Sequence, residues 1–442
     1  MRPRCFVTVA FVRILLAGLA ALSVVAAPVN STVDGVWRTD GYRQLIEVAG
    51  GKLTTYDVTE DSCLPGSVTG TGDGTTFAAN EGLVATVDRR AGKLSFDGDL
   101  GVRFLHRLPA LPAQCRARPS SDALSTFDIF WHTLAENYPF FAAKGVDWPA
   151  EGRAARQQVA AHPDRLYNVL CGLISPLHDA HVGLFTPDRR CTSLRPGTPD
   201  PATTIPRTVA VADANLDAPV RHWAGGGYAD LPGGIGYLRI ESFQGYTGTF
   251  AGDRAALGNA LDEIFTTARI SALHGLILDL RVNGGGADPL GLQVAARLTN
   301  APHFAYAKRA RNDPRDPARF TTPQPFFVRP AAGPRYPGPV AVLIGDLDAS
   351  AGETFVQALL NRRPRPVLIG QPTQGVYSDT MERTLPRPGW RLAVPNEEYL
   401  DPQGRTYDGT GIGPDVPAPV FAPADLAAGR DPVLATARRL LG

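Results

Sequence analysis

The sequence predicts an α/β protein, with a helical unit and a small N-terminal antiparallel β domain ahead of the α/β core. Three observations predict it. After residue 230, short, mostly apolar runs of strand length alternate with helix-period segments. Between residues 121 and 178 the apolar residues recur at helical spacing. Between residues 35 and 110, β-prone runs are cut repeatedly by glycines, as in an antiparallel sheet.

Composition bounds the rest. The chain has 442 residues, 44% hydrophobic and 20% charged, apolar enough for packed cores and incompatible with wholesale disorder. Its 46 Gly and 39 Pro make it rich in turns without reaching low complexity. A formal net charge of +1 carries no electrostatic footprint for nucleic acid, so no such partner is expected. Only four residues are Lys: Lys52, Lys93, Lys144 and Lys308.

In chain order, residues 1–27 read as a signal peptide. Arg2, Arg4 and Arg13 accompany an apolar run from Ile14 to Leu22, and small residues up to Ala27 follow, with the cut expected between Ala26 and Ala27. The run is short for a membrane anchor and no later segment resembles a spanning helix. The mature chain is therefore expected to be secreted or periplasmic and free of the membrane. Residues 30–117 make the β domain, with strands at 35–38, 43–48 and 52–58 and turns at Gly50-Gly51, Gly72-Asp73-Gly74 and Gly98.

Residues 118–190 make the helical unit. Phe127, Phe130, Trp131, Leu134 and Tyr138 share one helix face, and Pro163-Asp164 opens a second helix with Leu166, Leu170, Leu173 and Leu177. The Pro-rich stretch 195–206 reads as a loop. Residues 191–442 hold the core, with strands at 234–240, 276–280, 340–344 and 367–370 and helices at 251–268, 289–298 and 350–360. A last helix spans 432–441, capped by Asp431. Cys63, Cys115, Cys171 and Cys191 form an even set suited to an oxidising compartment. Three pairings are open. Cys63 with Cys115 and Cys171 with Cys191 is expected, because each pair then lies near one end of a local unit.

Four places carry residues with chemistry. Ser350 stands between a buried strand and a helix, where free backbone N–H groups suit a developing oxyanion. Ser350 and Glu353 also fit a helix capping box. Gly284-Gly285-Gly286 follows a buried strand, where a reacting group can sit at the carboxyl edge; a tight strand-to-helix turn explains it equally. His181 lies between the helical unit and a strand-like run and has the ring of a neutral-pH base. His178 beside it suggests no metal, since no third ligand is near. Asp408, in a Gly-rich turn, is an acid able to orient a His or merely to shape the turn.

Taken together, and in order, several stretches are similar to one family. They are GIGYLRIESF at 234–243, GLILDLRVNGGG at 275–286, VAVLIGDLDASAGETF at 340–355, VLIGQPTQG at 367–375 and GRTYDGTGIGPDV at 404–416. Upstream, FWHTLAENYPFF at 130–141 and LHDAHVGL at 177–184 continue the match. The chain resembles the C-terminal-processing (tail-specific) serine peptidases, the family that includes the tricorn core protease. The resemblance covers about residues 120–442 and leaves the β domain outside. It implies a core of the ClpP/crotonase type, with Ser350 as nucleophile and the N–H groups of Gly284, Gly285 and Ala351 as oxyanion donors. It calls for no cofactor and no metal.

Two departures bear on the mechanism so implied. The tail-specific branch pairs its Ser with a Lys directly after the last Gly of a G-x-P-T-x-G segment; here that Gly is Gly375 and Val376 follows. No Lys occurs after Lys308, and an Arg does not deprotonate. The tricorn-like branch instead takes a His from upstream and an acid from near the C-terminal G-x-x-P-D segment, the places of His181 and Asp408. Ala180 stands where that branch has an assisting Ser, and Asp408 where Glu is usual. The roughly 50 residues between His181 and Gly234 are at the lower size limit of a domain, so the family's PDZ domain is expected to be absent.

The implied function is an exported serine peptidase-like hydrolase. It would cleave peptide or unfolded-protein substrates through an acyl-enzyme on Ser350, with His181 as general base and Asp408 orienting it. Set against this are a non-catalytic ligand- or peptide-binding protein on the same scaffold and a small-ester or amide hydrolase using the same triad.

Overall fold

A computed structural model describes residues 33–442, and the expected signal peptide lies outside the described residues. The β domain closes on itself. Its eight antiparallel strands run from Gly35–Thr39 to Arg103–Leu108, and the first pairs with the last. Burial alternates along the strands: in Lys52–Val58, Leu53, Thr55 and Asp57 are buried and their neighbours less so, with a register shift between Thr54 and Tyr56. Trp37, Ile46, Leu53, Phe77, Val87 and Leu94 fill the barrel. Antiparallel strands were legible in the sequence; the barrel was not, because closure depends on pairing between the two ends of the domain.

The helical unit contains the two expected helices and one more. Ala123–Asn137 is capped by Asp122, whose carboxylate accepts from the Ser125 N–H, and it buries Phe127, Phe130 and Leu134. Leu166–Ile174 buries Leu166, Leu170 and Leu173. The additional helix, Trp148–Ala161, buries only Trp148, Gly152, Ala155 and Val159. This face is mostly small residues, with Gly152 making room for Trp131, so no apolar stripe announces it. The stretch 195–206 is not all loop. Helix Pro201–Ala214 starts inside it, with Asp200 capping the Thr203 N–H and Pro201 in the first turn.

The core is a seven-stranded sheet. Its order is Arg221–Trp223, Gly226–Leu231, Ile235–Ile240, Gly275–Asp279, Val340–Ile344, Val367–Gly370 and Val416–Pro417. The last five run parallel. Buried parallel strands need cover on both faces. Leu276, Leu278, Val342 and Ile344 pack against helices Phe250–Ile264, Asp288–Ala295 and Ala351–Leu359. Ile277, Ala341, Leu343 and Ile369 pack against the C-terminal helix Pro432–Leu441. Asp431 caps that helix, and buried Arg281 joins Asp431 to Asp279 at the strand end. The turns bearing Gly284–Gly286, Ser350 and Gly375 all leave the carboxyl edge of this sheet, where open α/β sheets hold their ligands.

A second, four-stranded sheet has the order Arg190–Thr192, Gly183–Phe185, Arg391–Pro395 and Thr380–Thr384. It ties the segment after the helical unit to the C-terminal half of the chain. Cys63 is bonded to Cys115 and Cys171 to Cys191. The second bond closes the loop that carries His181.

Lys308 anchors the barrel to the core. Its ammonium is buried and meets Asp99 of the barrel at 3.0 Å, Asp379 at 2.6 Å and Glu397 at 3.2 Å. Those carboxylates hold the amine well above its usual range against the burial that lowers it. Lys308→Ala leaves them uncompensated and is expected to cost about 3 kcal/mol, read as a lower urea midpoint at unchanged slope. A midpoint equal to the wild type would show that the anchor contributes no stability.

Candidate active site

Ser350 follows buried strand Val340–Ile344 and immediately precedes helix Ala351–Leu359. Its backbone is left-handed, φ +57° and ψ −125°, a conformation rarely held by a residue other than Gly. The Ser350 N–H donates to the Val376 carbonyl at 2.9 Å, and its own carbonyl accepts from the Thr354 N–H at 3.0 Å. Its hydroxyl makes no cap bond to the helix, so the hydroxyl half of a capping box is not formed. Glu353 keeps the Ser350 amide among its donors and takes further ones. Its buried carboxylate accepts from the N–H groups of Gly375 at 2.7 Å and Val376 at 2.8 Å and from the Thr373 hydroxyl. Burial pushes this carboxyl up to about 7, against the pull of those donors.

Gly285 lies directly against the serine. A Cβ there would stand 2.5 Å from Ser350 Cβ and 3.1 Å from its Oγ, and φ is +92°. Both features require glycine. Asn283 fixes the turn: its Oδ1 accepts from the Gly285 N–H at 2.9 Å, its Nδ2 donates to the Ile240 carbonyl, and its carbonyl accepts from the Ala349 N–H. The Gly284 N–H donates to the Glu241 carbonyl at 3.2 Å. The two glycine amides that the resemblance names as oxyanion donors are thus both committed. Among the described residues, the N–H groups of Gly286 and Ala351 donate no hydrogen bond. Asn283 was missed in the sequence, where it reads as one more turn residue before the glycines.

His181 sits just before strand Gly183–Phe185, beyond a turn in which His178 is left-handed at φ +46°. Asp179 shapes this turn. Its Oδ1 accepts from the His181 N–H at 2.9 Å and its Oδ2 from the Tyr138 hydroxyl at 2.9 Å. The His181 Nδ1 is buried and has no hydrogen-bond partner among the described residues. Burial lowers the imidazole below its usual value, while the Asp179 carboxylate and the Ser378 carbonyl pull it back up. Asp179 and Tyr138 were not recognised as site residues. The Asp-x-His spacing and the aromatic at the end of the first helix were visible, but their meeting depends on how the helix packs.

Asp408 is buried. Its carboxylate accepts from the Tyr377 N–H at 3.2 Å and the Thr406 hydroxyl at 3.0 Å. Burial and the nearby Asp179 and Glu353 charges push it well above the usual carboxylate range. No hydrogen bond joins Asp408 to His181, or His181 to the Ser350 hydroxyl, among the described residues. Each of the three candidates meets the segment Val376-Tyr377-Ser378. The Val376 carbonyl holds the Ser350 amide, the Tyr377 amide holds Asp408, and the Ser378 carbonyl faces the His181 ring. Buried Val376 occupies the position after Gly375. His178 contacts Ser193, and no group of His, Cys, Asp and Glu fit to hold a metal occurs among the described residues.

Residues 234–418 match the sequence profile described as Peptidase family S41. The chain is 28% identical over 204 residues to the chloroplastic carboxyl-terminal-processing peptidase 2 of Arabidopsis thaliana, covering 44% of this chain and 35% of that protein. It is 27% identical over 195 residues to the chloroplastic C-terminal processing peptidase of Tetradesmus obliquus, covering 43% and 37%. The match thus spans little more than a third of the length of these curated relatives. Among solved structures, a protein of Parabacteroides merdae described as a candidate peptidase superposes with a TM-score of 0.62 at 25% identity, covering 73% of this chain and 97% of the other. Mature CPAF complexed with lactacystin superposes at 0.53 and 14%, covering 72% and 97%, a likeness of fold alone.

Proposed function

This chain carries a peptidase family S41 domain over residues 234–418, and from that premise we propose that it is an exported serine peptidase acting through an acyl-enzyme on Ser350. The observation that carries the reading is the serine itself. Its backbone is strained, its hydroxyl takes no part in capping, and the helix N-terminus and a glycine turn lie beside it. Ser350 Oγ attacks the carbonyl carbon of the scissile bond while His181 accepts the hydroxyl proton. The negative oxygen of the tetrahedral intermediate takes the Ala351 N–H, with the Gly286 N–H as the second uncommitted donor at the turn. His181 then returns its proton to the leaving amine, and water releases the acyl group by the same steps in reverse order.

Asp179 and Asp408 act as positioning residues in this scheme. Asp179 fixes the backbone of His181, and Asp408 fixes Tyr377, next to the carbonyl facing the ring. An uncommitted imidazole nitrogen in a low-dielectric site suits a base that must stay neutral. The two disulfides support an oxidising compartment, and no described helix is long and apolar enough to cross a membrane. Peptides and unfolded proteins are the proposed substrates. A fluorophosphonate probe tests the nucleophile: it is expected to label Ser350 and to leave Ser350→Ala unlabelled, with casein cleavage lost in parallel. Casein-cleaving protein that carries no label on Ser350 would refute the assignment.

A further inference from the structure

A groove of about 650 Å³ runs between the barrel and the α/β core. This is within the range of sites that bury a short ligand. Its lining includes Gly286 and Ala287, which follow directly on the glycine packed against Ser350. Residues 379–383 also line it. The barrel, including Asp97, and the loop after strand Ile235–Ile240 supply most of the remaining lining. The groove therefore reaches the glycine turn at the candidate nucleophile, and a large part of its lining comes from the β domain. The Lys308 anchor fixes the barrel as a standing wall of this groove.

The 379–383 stretch offers main-chain donors. Thr380–Thr384 is the outer strand of its sheet and pairs only with Arg391–Pro395. The Leu385 N–H donates to the Trp390 carbonyl, which sets the alternation. The peptide groups of Thr380 and Glu382 consequently point away from the partner strand. Ser67 of the barrel already donates to the Glu382 carbonyl at 3.3 Å, which confirms that direction. By this alternation the N–H groups of Thr380 and Glu382 face away from the ladder.

The charge left over is negative. Arg103 lies over the Tyr42 and Phe96 rings and donates to Gln44, and Arg383 is paired with Asp57. Asp97 is exposed and has no cationic partner among the described residues.

We propose that this groove seats an extended segment of the polypeptide substrate, hydrogen-bonded to the open Thr380 end of the edge strand, with a Lys or Arg side chain of that segment against Asp97. The occupant follows from the peptidase reading, on which this inference rests. The barrel is then a specificity wall that confers a preference for basic substrate segments at a distance from the scissile bond.

Binding is measured on the full chain carrying Ser350→Ala, so that cleavage plays no part. Fluorescent octapeptides of Ala and Ser, with one Lys or one Glu walked along them, serve as probes in anisotropy titrations. At one or two positions Lys is expected to bind about fivefold tighter than Glu, and Asp97→Lys is expected to reverse the order. Asp97 is exposed, so the variant keeps its fold. No positional preference, or a preference that Asp97→Lys leaves unchanged, overturns the proposal. Fluorophosphonate labelling of the wild type separates the two readings. Lys-dependent binding without labelling removes the peptidase and keeps the groove, whereas labelling without the preference removes the groove alone.

Discussion

His181→Ala is expected to lower kcat for peptide cleavage by about 10⁴-fold, with the circular dichroism spectrum unchanged. The physical reason is the free ring nitrogen that His181 keeps beside the segment holding Ser350. The only lysines after His181 reduce to Lys308, and its ammonium is held charged among three carboxylates. Glu353 and Asp408 spend their oxygens on backbone amides and hydroxyls of the 373–377 and 406 region. The His181 imidazole presents a buried Nδ1 with no hydrogen-bond partner among the described residues. Its pH behaviour follows with a definite sign. Burial disfavours the charged ring, so the neutral base persists below the usual value near 6.5, and the acid limb of kcat/KM lies below that pH. Asp179→Asn removes the charge that pulls the ring back up, and the limb moves further toward acid. An acid limb above 6.5, or turnover retained in His181→Ala, would falsify the base role.

The sequence carried the core well because its signals are local. Val340–Ile344 is apolar throughout and Leu276–Leu280 is apolar but for Asp279, as suits buried parallel strands, and the residues after each of them form a turn at the carboxyl edge. Ser350, the glycine run and Asp408 stand out for the same reason. What remained hidden depends on contacts between distant segments. The Trp148–Ala161 helix presents small residues to its neighbour and has no stripe to read. Tyr138 meets Asp179 across 41 residues. Asn283 looks like any turn residue until its side chain is seen tying Gly285 to Ile240. The Ser350…Glu353 spacing fitted a cap as well as a nucleophile, and only the left-handed backbone and the further donors of the Glu353 carboxylate separate the two.

Two neighbouring glycines provide the sharpest contrast. Gly285→Ala places a methyl 2.5 Å from Ser350 Cβ and 3.0 Å from the Ala349 carbonyl oxygen, at a φ of +92°. The conformational strain alone costs about 1–3 kcal/mol. Relief requires the glycine turn and the serine turn to move apart, and a displacement near 1 Å at a reacting centre costs about 10²-fold in rate. Gly285→Ala is therefore expected to lower kcat about 10²–10³-fold and to reduce Tm, while KM changes little. At Gly284 a Cβ meets nothing within 4 Å, and the backbone is not left-handed. Gly284→Ala should stay within about 0.5 kcal/mol of the wild type in stability and close to it in rate. Steady-state kinetics of the two variants on one peptide reads the difference. If they lose activity equally, the turn acts through its flexibility; if only Gly285→Ala does, the chemistry takes place against that one residue's face.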